Sequence, residues 1–211
     1  MLTTRSKNPW YSSETEPLRE EARAFLAALC RRPADHARFL NTLSLMEHVG
    51  SRKIMLSHEG RPLAEDALKH LSEEARHAHF FRRAAEKVAG RSLGYGAGDA
   101  LAPWSGRMYM ERLDAALTKR LGDDRALAYR YVTLAVELRA QWFYELYQEV
   151  LSAEEMSLSL KSVLAEEDAH LKEMQEALEK ADPLYEPRCA EFSTLESGLF
   201  EKWFAAMGLA G

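Results

Sequence analysis

Two segments of this 211-residue chain carry a glutamate and a histidine three positions apart: Glu74-Ala75-Arg76-His77 and Glu167-Asp168-Ala169-His170. In a helix, positions i and i+3 share a face, so both side chains of a pair can reach one metal ion. A carboxylate and a neutral imidazole are suitable ligands for iron or manganese, and the absence of thiolate beside them argues against a structural zinc. One Glu-x-x-His is weak evidence, since a motif this short arises by chance. Here there are two, and each has another glutamate about one helix upstream, Glu47 and Glu137. The pattern gains weight only if the elements between them bring the six residues together.

Apolar spacing defines those elements. Residues 1–15 are polar and irregular, with Pro9, Trp10 and Tyr11 able to dock on the surface. A first helix is expected over 16–32, with Leu18, Ala22, Phe25, Leu26 and Leu29 as its stripe and Arg31-Arg32-Pro33 as its stop. Asp35 caps a second helix reaching about His58, in which Phe39, Leu40, Leu43, Met46, Gly50 and Ile54 face inward. Glu47 falls on that apolar stripe, where a lone carboxylate is costly to bury. Glu59-Gly60-Arg61-Pro62 forms a turn, and a third helix follows over 62–89 with Leu63, His70, Leu71, Glu74, His77 and Phe81 inward.

Residues 91–123 read as a long crossover, loose to Gly106 and then a short helix over 107–121. Gly122-Asp123-Asp124 stops it and starts a helix over 124–151 carrying Leu134, Glu137, Leu138, Gln141 and Tyr144. Ser152-Ala153-Glu154-Glu155 is a capping box, Ser at the cap and Glu three later, opening a helix to Ala181 that carries Val163, Leu164, Glu167, His170 and Leu171. Asp182-Pro183 breaks it, and a last helix over 188–207 presents Phe192, Leu195, Leu199, Phe200 and Trp203. The expected fold is all-α and one domain over 1–211: two antiparallel hairpins within about 36–181, a long crossover, and an extra helix at each end.

Levels connect these elements to the chemistry. Glu47 and Glu74 lie at nearly equal distances on either side of Gly60, as do Glu137 and Glu167 on either side of Ser152. At about 1.5 Å rise per residue, both pairs would stand about 20 Å from their turns, one mid-bundle layer once the hairpins are juxtaposed. Four buried carboxylates need cations. Two ions bridged by Glu74 and Glu167, with Glu47 and His77 on one and Glu137 and His170 on the other, is the natural division.

Composition sets the bounds. With 46% hydrophobic and 29% charged residues, 11 Gly and 7 Pro, the chain is an ordinary helix-rich sequence. A formal net charge of -5 offers no electrostatic reason to expect nucleic acid or an anionic membrane. No apolar run approaches the roughly 20 residues that span a bilayer. Met1 to Tyr11 has no apolar signal core, which reads as cytoplasmic. Cys30 and Cys189 are too few for a zinc or disulfide framework, and no Cys-x-x-Cys offers a thiolate iron site.

In their order and spacing, Glu47, Glu74-Ala75-Arg76-His77, Glu137 and Glu167-Asp168-Ala169-His170 resemble the ferritin-like di-iron carboxylate proteins. Glu-Ala-Arg-His looks like the metal helix of bacterial di-iron oxidases and hydroxylases. The resemblance implies a ferritin-like four-helix bundle, two iron ions (with manganese or a mixed Mn/Fe pair as alternatives), and O2 or peroxide chemistry with the six residues as metal ligands. The expected function is a dinuclear oxidase or oxygenase acting on a small organic substrate, with no catalytic residue beyond the ligands. Alternatives are a ferroxidase that handles iron, a manganese catalase-like peroxide dismutase, and a metal-free helical interaction protein. An oxygenase would need a separate electron donor, and the assembly is left open, with a homodimer as one candidate.

Neighbouring residues have plainer readings. His70, one turn before Glu74, lines the same cavity or, more often for such a histidine, is a satisfied core residue. Gln141 and Tyr144 follow Glu137 at helical spacing and are candidates to hydrogen-bond the ligands from behind or, for Tyr144, to act as a redox-active tyrosine, with packing the stronger expectation for Tyr144. Glu73 and Glu166 would replace the adjacent glutamates if a helix were rotated. Asp168 is expected as a surface charge, and His36, His48, His58 and His79 as solvent-facing or peripheral.

Overall fold

Gly60 adopts a left-handed backbone, φ +74, which a side chain would resist, and it separates two long helices that pack antiparallel. A computed structural model of the protein describes residues 16–60, 62 and 65–210. Among these residues the fold is all-α: α1 (Glu16–Cys30), α2 (Pro33–Ser57), α3 (Glu65–Ala89), α4 (Pro103–Leu121), α5 (Arg125–Ala153), α6 (Lys161–Ala181) and α7 (Tyr185–Ala210). No strand occurs among them, and none of the described helices is long and apolar enough to cross a membrane. Pro9, Trp10, Tyr11, Arg61 and Leu63, assigned docking, turn and inward positions above, lie outside the described residues. The described residues form two compact units, 28–110 with 203–210 and 16–27 with 111–202.

In the α2–α3 unit, Phe39, Leu40, Leu43, Met46 and Ile54 of α2 and Ala78, Phe81 and Ala85 of α3 are buried. Their spacing of three and four makes one stripe per helix, and each fully buried Leu or Phe contributes roughly 1.5–3 kcal/mol. Polar residues on the same stripe fix the register. Ser44 Oγ donates to the Ala78 carbonyl at 2.7 Å and lies 2.8 Å from the Tyr95 hydroxyl. The segment after α3, expected to be loose, is stitched onto α2. Asn41 Nδ2 donates to the carbonyls of Gly94 (2.7 Å) and Asp99 (2.8 Å), and Thr42 Oγ1 accepts the Leu101 N–H at 2.7 Å.

In the α5–α6 unit, Asp124 caps α5 as expected, accepting the Leu127 N–H at 2.9 Å. Asp182 ends α6 and gathers the Tyr131 hydroxyl (2.6 Å), Arg188 Nη1 (2.7 Å) and the Leu184 N–H (3.0 Å). Burial works to raise the Asp182 pKa, but these three donors outweigh it and hold the carboxyl below its ordinary value. A second polar cluster joins α5 to α7: Arg139 makes two bonds to Glu196, at 2.9 and 2.6 Å, with both side chains buried.

Several boundaries depart from the sequence reading. Pro33 is the first residue of α2 rather than part of a gap, because a missing N–H costs nothing at that position. Asp35 therefore sits inside the first turn, 3.2 Å from Arg32 Nη1, and does not cap. Pro62 is not helical and α3 begins at Glu65, with Glu65 and Asp66 favourably placed at its positive end. Pro103 likewise starts α4 four residues earlier than Arg107, and α7 extends beyond 188–207 at both ends.

The largest departure is at Ser152. It does not open α6, because α5 runs through it to Ala153, and its hydroxyl donates back to the Gln148 carbonyl at 2.9 Å. Glu155 then takes φ +53, while Met156 N–H bonds to the Leu151 carbonyl and Glu155 N–H to that of Ser152. This is the hydrogen-bond pattern of a Schellman stop, built without its usual glycine. Gln148 Oε1 receives the Leu160 N–H at 2.6 Å, so the chain descends beside α5 before α6 begins at Lys161. His36 also differs from expectation: it is buried on the inner stripe of α2, where burial lowers its pKa. His48 and His79 are exposed and His58 is half-buried, as expected.

Candidate metal centre

The Ser44–Ala78 bond sets Glu47 of α2 opposite the Glu74–His77 turn of α3. Glu47, Glu74 and His77 are all buried, and each offers a ligand atom within 4.8 Å of the others. His77 Nδ1 lies 3.8 Å from Glu47 Oε2. The equal distances from Gly60 thus translate into a real cluster in this unit. On the other side of Glu74, His70 Nε2 stands 3.4 Å from Oε1.

Gly50 supplies the space. It is three residues after Glu47 on α2, and a Cβ built there would lie 2.7 Å from Glu74 Oε2. Since that oxygen ends a flexible side chain, an added methyl would displace the carboxylate rather than the helix. Gly50→Ala is therefore expected to weaken metal binding about tenfold or more while leaving the metal-free fold as stable or more stable by up to about 1 kcal/mol. Anaerobic Mn(II) titration and urea unfolding measure the two effects, and unchanged affinity would show that Glu74 does not need that clearance.

The donor set fits a divalent cation. Two carboxylates and an imidazole removed from water need a positive partner, and this oxygen–nitrogen set without sulfur suits iron or manganese. Leu43 and Met46, within a turn of Glu47, and Phe81, one turn after His77, are buried and make the surroundings apolar.

In the α5–α6 unit, Glu137 on α5 and Glu167 and His170 on α6 are buried too. Gln141 donates its amide to Asp168, which ties α5 to α6 beside them. Among the described residues, these three do not close into a cluster like that of Glu47, Glu74 and His77. Gln141 is engaged with exposed Asp168, and Tyr144 is buried in the core, matching its packing role. Glu73 is buried beside Glu74, and its Oε1 lies 3.9 Å from Arg76.

Sequence reasoning missed Ser44, the clearance role of Gly50, and the Arg139–Glu196 pair. Glu196 carried a readable signal, since it falls between Phe192 and Phe200 on one stripe, the same signature that marked Glu47. Compared with known proteins, the chain matches no family model, no curated protein and no solved structure.

Proposed function

We propose that this protein is a dinuclear metal oxidoreductase of the ferritin-like di-iron carboxylate kind, acting on O2 or peroxide. The observation that carries the reading is the buried cluster of Glu47, Glu74 and His77, two carboxylates and an imidazole with ligand atoms within 4.8 Å. These residues would hold one ion, and Glu137, Glu167 and His170, the corresponding buried set, would supply ligands for the second. Bound iron would provide one-electron chemistry with oxygen that no side chain of the chain can perform.

The chain's own part is to prepare the site. Glu47 and Glu74 balance the cation charge, and Gly50 keeps room for the Glu74 carboxylate. The buried apolar residues beside the cluster exclude water and lower the local dielectric. A small apolar substrate, oxidised or hydroxylated with electrons from a separate donor protein, suits such surroundings.

Protein from iron-supplied cells, analysed for metal and then reduced, is expected to contain about two iron ions per chain and to consume O2. Protein that stays metal-free in excess Fe(II) and Mn(II) would rule the reading out. Manganese in place of iron, with oxygen released from peroxide, would redirect it to a peroxide dismutase.

A further inference from the structure

We propose that His70 is an additional metal ligand, on the other side of Glu74 along α3 from His77, so that α3 alone presents a His-x3-Glu-x2-His ligand face. The inference rests on the metal reading of Glu47, Glu74 and His77. His70, Glu74 and His77 are four and three residues apart, so they form one line along α3. His70 and His77 are two turns apart, about 10.5 Å of rise. They bracket Glu74 rather than meet on a single ion.

The two oxygens of Glu74 point to different neighbours. Oε2 lies against Gly50, and Oε1 faces His70 Nε2 at 3.4 Å. A charge-assisted N–H···O bond is shorter, about 2.7–2.9 Å. Two donor atoms bound to one ion at about 2.1 Å and at right angles are about 3 Å apart, so a small adjustment around a cation accommodates the spacing seen here. The His77–Glu47 separation of 3.8 Å has the same character. His70 is also well shielded, with its side chain 13% exposed. Glu74, which also lies with Glu47 and His77, would then be shared between the ion held by that set and the ion held with His70.

The competing role is a hydrogen bond from His70 that orients Glu74, which a glutamine can also make. Full-length wild type, His70→Ala and His70→Gln are titrated anaerobically with Fe(II) alone, and the iron-loaded proteins are examined by X-ray absorption for imidazole scattering. Both variants are expected to lose about 10- to 100-fold in affinity for one of the ions and to show less imidazole per iron, with metal-free circular dichroism and melting unchanged. Wild-type affinity and imidazole scattering in His70→Ala, or wild-type affinity in His70→Gln, would overturn the ligand role while leaving the cluster intact. Wild-type protein that takes up no iron would overturn the underlying metal reading and this inference with it.

Discussion

Glu74→Gln is expected to stabilise the metal-free protein and to abolish most of the stability that metal adds. Glu47 and Glu74 are buried and bring carboxylate oxygens within 4.8 Å of each other and of His77. Two like charges about 4 Å apart repel by up to about 4 kcal/mol at an effective dielectric near 20. Removing one charge without changing side-chain size relieves that repulsion and leaves a neutral amide in place of a ligand. Metal acts in the opposite direction. A cation present at a thousand times its dissociation constant stabilises the native state by about 4 kcal/mol, and the variant forfeits that gain because an amide oxygen is a weak ligand. The sign of the mutation should therefore reverse with conditions. Urea unfolding in EDTA should place Glu74→Gln about 1–4 kcal/mol above wild type, and unfolding in excess Mn(II) should place it below. Destabilisation under both conditions would show that Glu74 holds the fold together and does not serve a cation.

The two hairpins show why one half of this site was legible in the amino-acid sequence and the other less so. Around Gly60 the stop is written in residue type, because a left-handed turn favours glycine. Counting residues from it placed Glu47 opposite Glu74, where the structure brings them together. Around Ser152 the letters of a capping box are present, yet Ser and Glu are compatible with a helix interior when the hydroxyl bonds back one turn. The actual stop puts Glu155 in the left-handed region, where nothing in its type announces it. In the second hairpin, the residues counted from Ser152 do not close into a cluster among the described residues. Burial of Glu137, Glu167 and His170 was nonetheless correct, since the side of the helix they share with apolar residues depends on periodicity and not on where the helix starts. Long-range polar ties were illegible for a different reason. Asn41 bonds backbone carbonyls of Gly94 and Asp99, and carbonyls carry no residue identity from which to infer a partner. The burial of His36 follows from its position one turn before Phe39 and Leu40, a case where periodicity outweighs residue type.

Glu196→Leu, made alone, is expected to destabilise the protein by about 3–5 kcal/mol. Arg139 and Glu196 are joined by two bonds at 2.9 and 2.6 Å, and both side chains are almost wholly removed from water. Arg139 Nη2 also donates to Ser197 Oγ at 3.1 Å. Its guanidinium carbon lies 4.2 Å from the Phe200 ring centroid and 4.9 Å from that of Trp142. Those rings can retain an arginine that has lost its carboxylate, each contributing about 0.5–2 kcal/mol, but they do not replace a bidentate anion. Arg139→Met should cost at least as much, because it leaves Glu196 as a buried carboxylate among aromatic rings. Arg139→Met with Glu196→Leu removes both charges and fills the space with apolar atoms, and it should be more stable than either single variant. A double-mutant cycle in urea measures this, and additive losses would show that the two side chains act independently. The pair also reaches the site. Arg139 is two positions from Glu137, about 200° around α5, so holding Arg139 against α7 turns Glu137 away from α7. In the double variant the fold is expected to persist while that constraint on Glu137 is lost, which makes metal affinity, rather than melting temperature, the quantity that reports what the ion pair does for the site.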